Sequence, residues 1–307
     1  MRVFVTGASG WIGSAVIPEL IAAGHQVVGL ARSDAAALTV SGAGAEVLRG
    51  TVDDLDVLRD GADASDGVIH LAFKHDLAFS GGFEAAALAN QAAVEAMGEA
   101  LAGSDRPFAL ASGVLGLAPG RVATEADGLG ADAEGSTPGG GLSLRRATAR
   151  YVVDLAERGV RSSVVGLAPS IHGEGDHGFM ASLVAVARDK GLAGYLGDGS
   201  QRWPAAHVAD AARLFRLALE KAPAGSHLFG VADQGVPIRT IAEVIGRHLD
   251  LPAASVPAED AAGHFGWLAP LVALDSPASS AATRELLDWQ PVQPGLVEDL
   301  EKGHYFR

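Results

Sequence analysis

The chain has 307 residues, no cysteine, and 23 Lys and Arg against 37 Asp and Glu, a formal net charge of −14. The length suits about two domains. The missing cysteines exclude disulfides, thiolate metal sites and a cysteine nucleophile, and they fit a cytoplasmic location. The acidic balance argues against nucleic acid or an anionic membrane surface as partner. The opening MRVFVTGASG lacks the pattern of a signal peptide. No apolar run approaches the ~20 residues that span a bilayer; the longest, Gly266 to Leu274, contains Pro270.

In chain order, strands are expected at Arg2–Thr6, Gln26–Leu30, Ala45–Leu48, Gly67–Leu71 and Pro107–Leu110. Helices are expected between them at Trp11–Ala23, Asp34–Thr39, Asp53–Arg59 and Phe83–Leu101. The strands are nearly continuous apolar runs, as in a parallel sheet covered on both faces. Asp53 and Asp54 stand where a helix start favours negative charge. A Gly/Ser/Pro-rich stretch, Ser112–Gly141, is too long for an ordinary connection and reads as a functional or mobile loop. A helix at Ser143–Arg158 and a strand at Val160–Leu167 continue the alternation. Beyond them, helices are expected at Phe179–Lys190, Val208–Lys221, Ile238–Leu249 and Pro257–His264, with strands near Trp203–His207 and His227–Val231. The fold class is therefore α/β: a Rossmann-type doubly wound parallel sheet with a smaller C-terminal α+β region. The boundary falls between 1–167 and 168–307, with a strand of the second part returning to the sheet.

The most informative motif is Thr6-Gly7-Ala8-Ser9-Gly10-Trp11-Ile12-Gly13, between a strand and a helix. Gly7 permits a tight turn, Gly10 lets the backbone approach a pyrophosphate, and Gly13 lets the helix pack on the sheet. The helix N-terminus adds free N–H groups and partial positive charge. Residues 1–167 then read as a dinucleotide-binding domain and 168–307 as a substrate-binding cap. Thr6, Gly7, Ser9, Gly10, Trp11, Ile12 and Gly13 form the expected diphosphate cradle. After the second strand, Leu30-Ala31-Arg32-Ser33 offers no carboxylate for a ribose 2′-OH. Arg32 and Ser33 suit a 2′-phosphate instead, so NADP is expected over NAD. Asp34 is read as the cap of the next helix.

The TGxxGxxG turn, GVIHLA at 67–72 and Asp288-Trp289-Gln290-Pro291 together resemble the extended short-chain dehydrogenase/reductase, or NAD-dependent epimerase/dehydratase, family. The resemblance implies a Rossmann domain, a C-terminal substrate domain, a small-molecule substrate and often a homodimer packed through Phe83–Leu101 and Ser143–Arg158. It places Leu71, Ala72, Arg145 and Pro169 beside the cofactor. It also implies a Ser after the fifth strand, matched by Ser112, and then a Tyr-x-x-x-Lys pair, which the sequence lacks. Counting back from Arg158-Gly159-Val160 places Arg145 at the lysine position and Gly141 at the tyrosine position.

Hydride delivery to a carbonyl needs a proton or a positive partner for the oxygen. Ser112 and Arg145 are expected at the reacting centre, and His75 and His172 are proton-donor candidates. Tyr151, six residues past Arg145 and roughly 240° around the helix, faces a packing or dimer surface. The Ile171–His177 loop reads as a polar substrate loop, and no metal site is assigned. Trp203 is read as pocket wall or core, and His207 as bonding locally. His264–Leu271 is core or a lid over an apolar substrate. Three readings stay open. The first is an NADP(H)-dependent oxidoreductase of a small or apolar carbonyl or imine with a non-tyrosine proton donor. The others are a non-catalytic dinucleotide sensor and a sugar-derivative epimerase or dehydratase.

Overall fold

The computed structural model describes residues 1–129 and 140–307. Seven parallel strands form the central sheet: β1 (Arg2–Thr6), β2 (Gln26–Ala31), β3 (Glu46–Arg49), β4 (Gly67–His70), β5 (Pro107–Gly113), β6 (Arg161–Leu167) and, from far down the chain, β10 (Ser226–Gly230). Their order is β10-β6-β5-β4-β1-β2-β3. The chain steps outward from β1 in both directions, so a crevice opens at the carboxyl edge where the order reverses. Thr6 pairs with His70, His70 with Leu110 and Ser112 with Gly166. That register brings Thr6, His70 and Ser112 to the same edge.

Helices α1 (Trp11–Ala22), α2 (Asp34–Gly42), α3 (Leu55–Asp63), α4 (His75–Leu77), α5 (Phe83–Leu101) and α6 (Gly141–Asp154) follow the early strands. α3, α5 and α6 cover one face, over a core that includes Phe4, Val68, Met97, Phe108 and Val152. α1 and α8 (Val208–Lys221) cover the other, over Val5, Ile17, Val165, Phe215 and Trp289. Full coverage on both sides is why the strands carry uninterrupted apolar runs.

The remaining strands are β7 (Ser170–His172), β8 (Ala193–Leu196), β9 (Arg202–His207), β11 (Asp233–Pro237) and β12 (Ala253–Val256). They make a three-stranded β11-β9-β7 sheet and a β12-β8 pair. With α7 (Phe179–Lys190), α9 (Ile238–Leu249), α10 (Ala261–Phe265), α11 (Ala269–Val272) and α13 (Leu296–Glu301), they build a second core around Trp203, Ile241, Phe265 and Leu268. α12 (Ala281–Leu287) ends at Asp288, which adopts the left-handed conformation and turns Trp289 into the main core. Trp289 Nε1–H donates to Asp210 O, and the Asp210 carboxylate accepts from Val292 N and Gln293 N at 3.0 Å. The DWQP segment thus straps the chain's last quarter onto α8.

Two local expectations are corrected. Ser33, not Asp34, caps α2: its hydroxyl accepts from Ala36 N, and Asp34 lies in the first turn. α3 begins at Leu55, and the Asp54 carboxylate takes Thr51 N and Oγ1 instead of capping it. The described part of the long 112–141 stretch is anchored. Ala123 N donates to Pro277 O, and buried Glu125 accepts from Thr283 N and Oγ1 at 2.8 and 2.6 Å. Its residues 130–139 lie outside the described residues. Among the described residues, no helix is long and apolar enough to cross a membrane.

Candidate active site at the carboxyl edge of the sheet

Gly7 has φ +67°, and a Cβ there would lie 2.8 Å from Ala72 N; a Cβ on Gly13 would lie 2.2 Å from Gly7 O. Both positions admit only glycine. At Gly10 a Cβ would meet only Gly7 O, at 3.2 Å, and its other side is open. α1 starts immediately afterwards, with no side-chain cap at Gly10 and no carboxylate in its first turn. The first-turn N–H groups, those of Trp11, Ile12 and Gly13, have no intrahelical acceptor. A turn that excludes side chains yet presents free N–H groups fits a diphosphate. The donor set thus fits a dinucleotide.

Side chains of the cradle brace it. The Thr6 hydroxyl is buried; it accepts from Ala72 N (3.3 Å) and donates to His70 Nδ1 (2.7 Å), while His70 Nε2–H donates to Asn90 Oδ1 (3.3 Å). This chain ties β1, β4 and α5 beneath the turn. Trp11 Nε1–H donates to Ile171 O at 2.9 Å, and its ring meets His177 edge-on at 6.1 Å. Trp11 therefore bolts the glycine turn to β7 and the loop that follows it. Ser9 and Ile12 are half-buried around the turn, as are Leu71, Ala72 and Pro169 at the strand ends.

Burial, opposed by the Asn90 hydrogen bond and reinforced by the Arg145 charge, pushes the His70 pKa down to about 4. The unfolded chain takes up this proton near pH 6.5, and the folded chain only near pH 4. Stability is therefore expected to fall as pH drops through that window, by up to about 3 kcal/mol. Urea denaturation at pH 7 and pH 4.5 checks this: His70→Gln should be less stable at pH 7 and lose less on acidification.

At the carboxyl end of β2, Arg32 is 72 % exposed and approaches Asp76 at 3.6 Å. Arg49 on β3 donates to Ser33 O at 2.6 Å and pairs with Asp34. Two guanidinium groups therefore flank Ser33. The Arg49 contribution escaped the sequence reading, since only sheet pairing sets β3 beside β2. The Asp53 carboxylate is held by Lys74 Nζ at 2.6 and 2.7 Å.

At the other end, Ser112 sits half-buried at the tip of β5, and among the described residues its hydroxyl has no partner. Arg145 on α6 lies over the Phe73 ring, 4.1 Å from its centroid, with no ion pair among the described residues. Burial lowers its pKa to about 10, so it stays charged at pH 7. Gly141, one helical turn earlier, has no room for a side chain: a Cβ would stand 2.3 Å from Phe83 Cδ1. Phe83 of α5 fills that volume and leans on Phe73, centroids 5.8 Å apart.

The two histidine candidates part company. His75 lies at the rim between Phe73 (5.1 Å) and Phe79 (5.6 Å). Desolvation by this packing, then the Arg145 charge, holds its pKa below the ordinary value. His172 is corrected as a proton donor. It is fully enclosed, its Nδ1 3.0 Å from Asp299 Oδ2 and its ring against His207. His207 does bond locally, its Nδ1 accepting from Ala209 N. Tyr151 packs against α5 and accepts from Arg158. Trp203 is core, with Nε1–H on Leu271 O. The apolar 264–271 segment divides: Phe265 and Leu268 are core, whereas Trp267 points outward against Phe79. The C-terminal Tyr305, which no pattern singled out, donates to Asp176 (2.8 Å) and accepts from Gly173 N (3.2 Å), fixing the loop that Trp11 grips.

A profile of the NAD dependent epimerase/dehydratase family matches residues 3–231. An uncharacterised protein of Saccharomyces cerevisiae is 45% identical over 306 residues, covering 99% of each chain. A 4-hydroxy-2-methyl-3-oxo-4-farnesyl-3,4-dihydroquinoline-1-oxide ketoreductase of Stigmatella aurantiaca is 28% identical over 281 residues, covering 87% of this chain and 80% of its own. Among solved structures, the UDP-glucose 4-epimerase of Thermotoga maritima superposes with a TM-score of 0.75 at 19% identity, over 100% of this chain and 98% of that one.

Proposed function

The chain belongs to the NAD dependent epimerase/dehydratase family, and from that premise we propose that it is an NADP(H)-dependent oxidoreductase of a small or apolar carbonyl or imine. The observation that carries this reading is a pair of groups without a hydrogen-bond or ion-pair partner among the described residues, the Ser112 hydroxyl at the tip of β5 and the Arg145 guanidinium over the Phe73 ring, with Phe73 and His75 forming an aromatic wall. The ketoreductase relative supports the reaction type.

The turn at 6–13 would hold the diphosphate, with Arg32, Ser33 and Arg49 around the adenosine ribose. When bound, the nicotinamide supplies or accepts the hydride. Ser112 Oγ–H donates to the substrate oxygen and orients it. Arg145 holds ribose hydroxyls and offsets negative charge developing on that oxygen, in a site where desolvation strengthens the interaction. It is too weak an acid to give up its proton near neutrality. His75, neutral at pH 7, accepts a proton when the substrate is oxidised and, in the reverse direction, relays one from water to the substrate oxygen.

NADPH oxidation, followed by absorbance against a panel of ketones, aldehydes and imines, tests the assignment. Turnover should fall about 100-fold in Ser112→Ala. NADPH binding without turnover across the panel would favour a dinucleotide sensor. Cofactor choice has its own test. Arg32→Ala with Arg49→Ala should weaken NADPH by about 10- to 100-fold, the worth of one charge-assisted bond or more, and change NADH affinity less than threefold. Calorimetric titration of both cofactors checks it, and equal losses for the two would overturn the 2′-phosphate assignment.

A further inference from the structure

An unbroken run of rings leaves the reacting end of the crevice. Arg145 lies on Phe73, Phe73 meets His75 at 5.1 Å, and His75 stacks on Phe79 at 5.6 Å. Phe79 stacks on Trp267 at 4.5 Å with the planes 29° apart. Phe179 touches both, at 6.3 and 5.7 Å, and is backed by buried Trp203 at 5.7 Å. Phe79 comes from the segment between β4 and α5, and Trp267 from the cap, so this stack bridges the two halves of the protein.

Two features set this bridge apart from core. Phe79 and Trp267 are each 43 % exposed, although stacked on one another. Each also stands next to, or one residue from, a glycine with a left-handed φ. Gly81 has φ +95° and Gly266 has φ +55°, and a Cβ at either would meet nothing within 4 Å. Packing does not demand glycine there; the backbone conformation does, and glycine leaves those backbones free to rotate.

We infer that this rim binds the remote end of the substrate, that this end is an uncharged planar arene lying against Phe179, and that Phe79 and Trp267 part to admit it. This rests on the reading of Ser112 and Arg145 as the reacting end. A third ring between two others needs roughly 7 Å, twice the ~3.5 Å contact distance of carbon atoms. At 4.5 Å the Phe79–Trp267 pair cannot sandwich a ring, so it covers one. Ring faces and edges discriminate: each well-placed aromatic contact favours an arene over a saturated ring of equal size by about 2- to 10-fold. A long aliphatic chain would gain nothing from rings over other apolar side chains.

The test uses the NADPH-loaded full chain and calorimetric titration with 2-acetylnaphthalene and its saturated counterpart, 2-acetyldecalin. The arene should bind at least 10-fold tighter. Phe79→Leu, which keeps the apolar volume and removes the ring, should cut that preference to within about 3-fold while leaving NADPH affinity unchanged. Gly81→Ala should slow arene association in stopped-flow more than fivefold without changing the NADPH titration. Equal affinity for the two ketones, binding of neither, or an unaltered preference in Phe79→Leu overturns the inference while NADPH binding stands. Failure of NADPH itself to bind takes down the underlying reading and this inference together.

Discussion

Gly13→Ala is expected to abolish measurable NADPH binding, a loss of at least about 100-fold, and to destabilise the protein by about 1–3 kcal/mol, the usual cost of forcing an extra methyl into a packed site. The added Cβ would stand 2.2 Å from Gly7 O, 2.7 Å from Ala8 O and 2.8 Å from Ala8 C. All three are backbone atoms, so no side chain can swing away. Relief requires either lifting α1 off the sheet or displacing the turn, and each moves the first-turn N–H groups from the diphosphate. Gly10→Ala separates the two effects. Its Cβ meets only Gly7 O at 3.2 Å, so the fold should persist within about 1 kcal/mol. The methyl would still occupy the open side where a pyrophosphate approaches, and affinity should fall by a similar factor. Calorimetry and thermal melting of the two variants decide the matter. Unchanged nucleotide binding in Gly13→Ala would remove the cradle from the site.

Arg145→Met should reduce kcat by about 100- to 1000-fold, the range for deleting one preorganised charge at a developing oxyanion, while raising the melting temperature of the cofactor-free protein. The two effects have one cause. Burial lowers the Arg145 pKa to about 10, which means the fold disfavours a charge it nevertheless holds at pH 7, by roughly 1–3 kcal/mol. Because the folded pKa lies below the unfolded one, this cost is fully present below pH 10 and fades as pH rises further. Among the described residues no carboxylate offsets it; the guanidinium has only the Phe73 face beneath it. Methionine keeps the unbranched apolar body and removes the uncompensated charge. A residue kept at a cost to the empty protein marks a site where stability is exchanged for activity. Thermal melting with and without NADPH, beside steady-state rates, checks both halves. If Arg145→Met were less stable yet fully active, the guanidinium would be structural.

Much of the fold was legible because its signals are local. Apolar runs such as RVFVT and GVIHL, separated by alanine-rich helices of regular length, specify strand and helix within a few residues of the observed bounds. α5, α7, α8 and α9 begin and end where their apolar spacing does. Of the short strands of the cap, β9 was legible, whereas β7, β8, β11 and β12 were not. β11 is Asp-Gln-Gly-Val-Pro, a composition that reads as a turn; it is a strand only because β9 offers its edge. Helix caps were misread for a related reason, since Ser33 and Asp34 are both good caps; Arg49 from the neighbouring strand takes the Asp34 carboxylate, while the Ser33 hydroxyl accepts from Ala36 N.

The same division runs through the site. The glycine turn, Ser112 and Arg32 announce themselves by position after a strand. His75 and His172 looked equivalent in sequence, each just past a strand, yet one is at the rim and the other is sealed against Asp299, some 127 residues away. Arg49 and Phe83 entered the site only through pairing and packing.

What the residues alone determined is the sheet, its direction and a glycine turn with the shape and free N–H groups that fit a diphosphate, because strand runs, helix periodicity and glycine's missing Cβ act within a dozen neighbouring positions. What only the folded chain decided is which side chains face the crevice, what fills the place left by Gly141, and the Phe79–Trp267 cover. Those depend on contacts between segments far apart in the chain, where burial and steric fit, and not local preference, select the outcome.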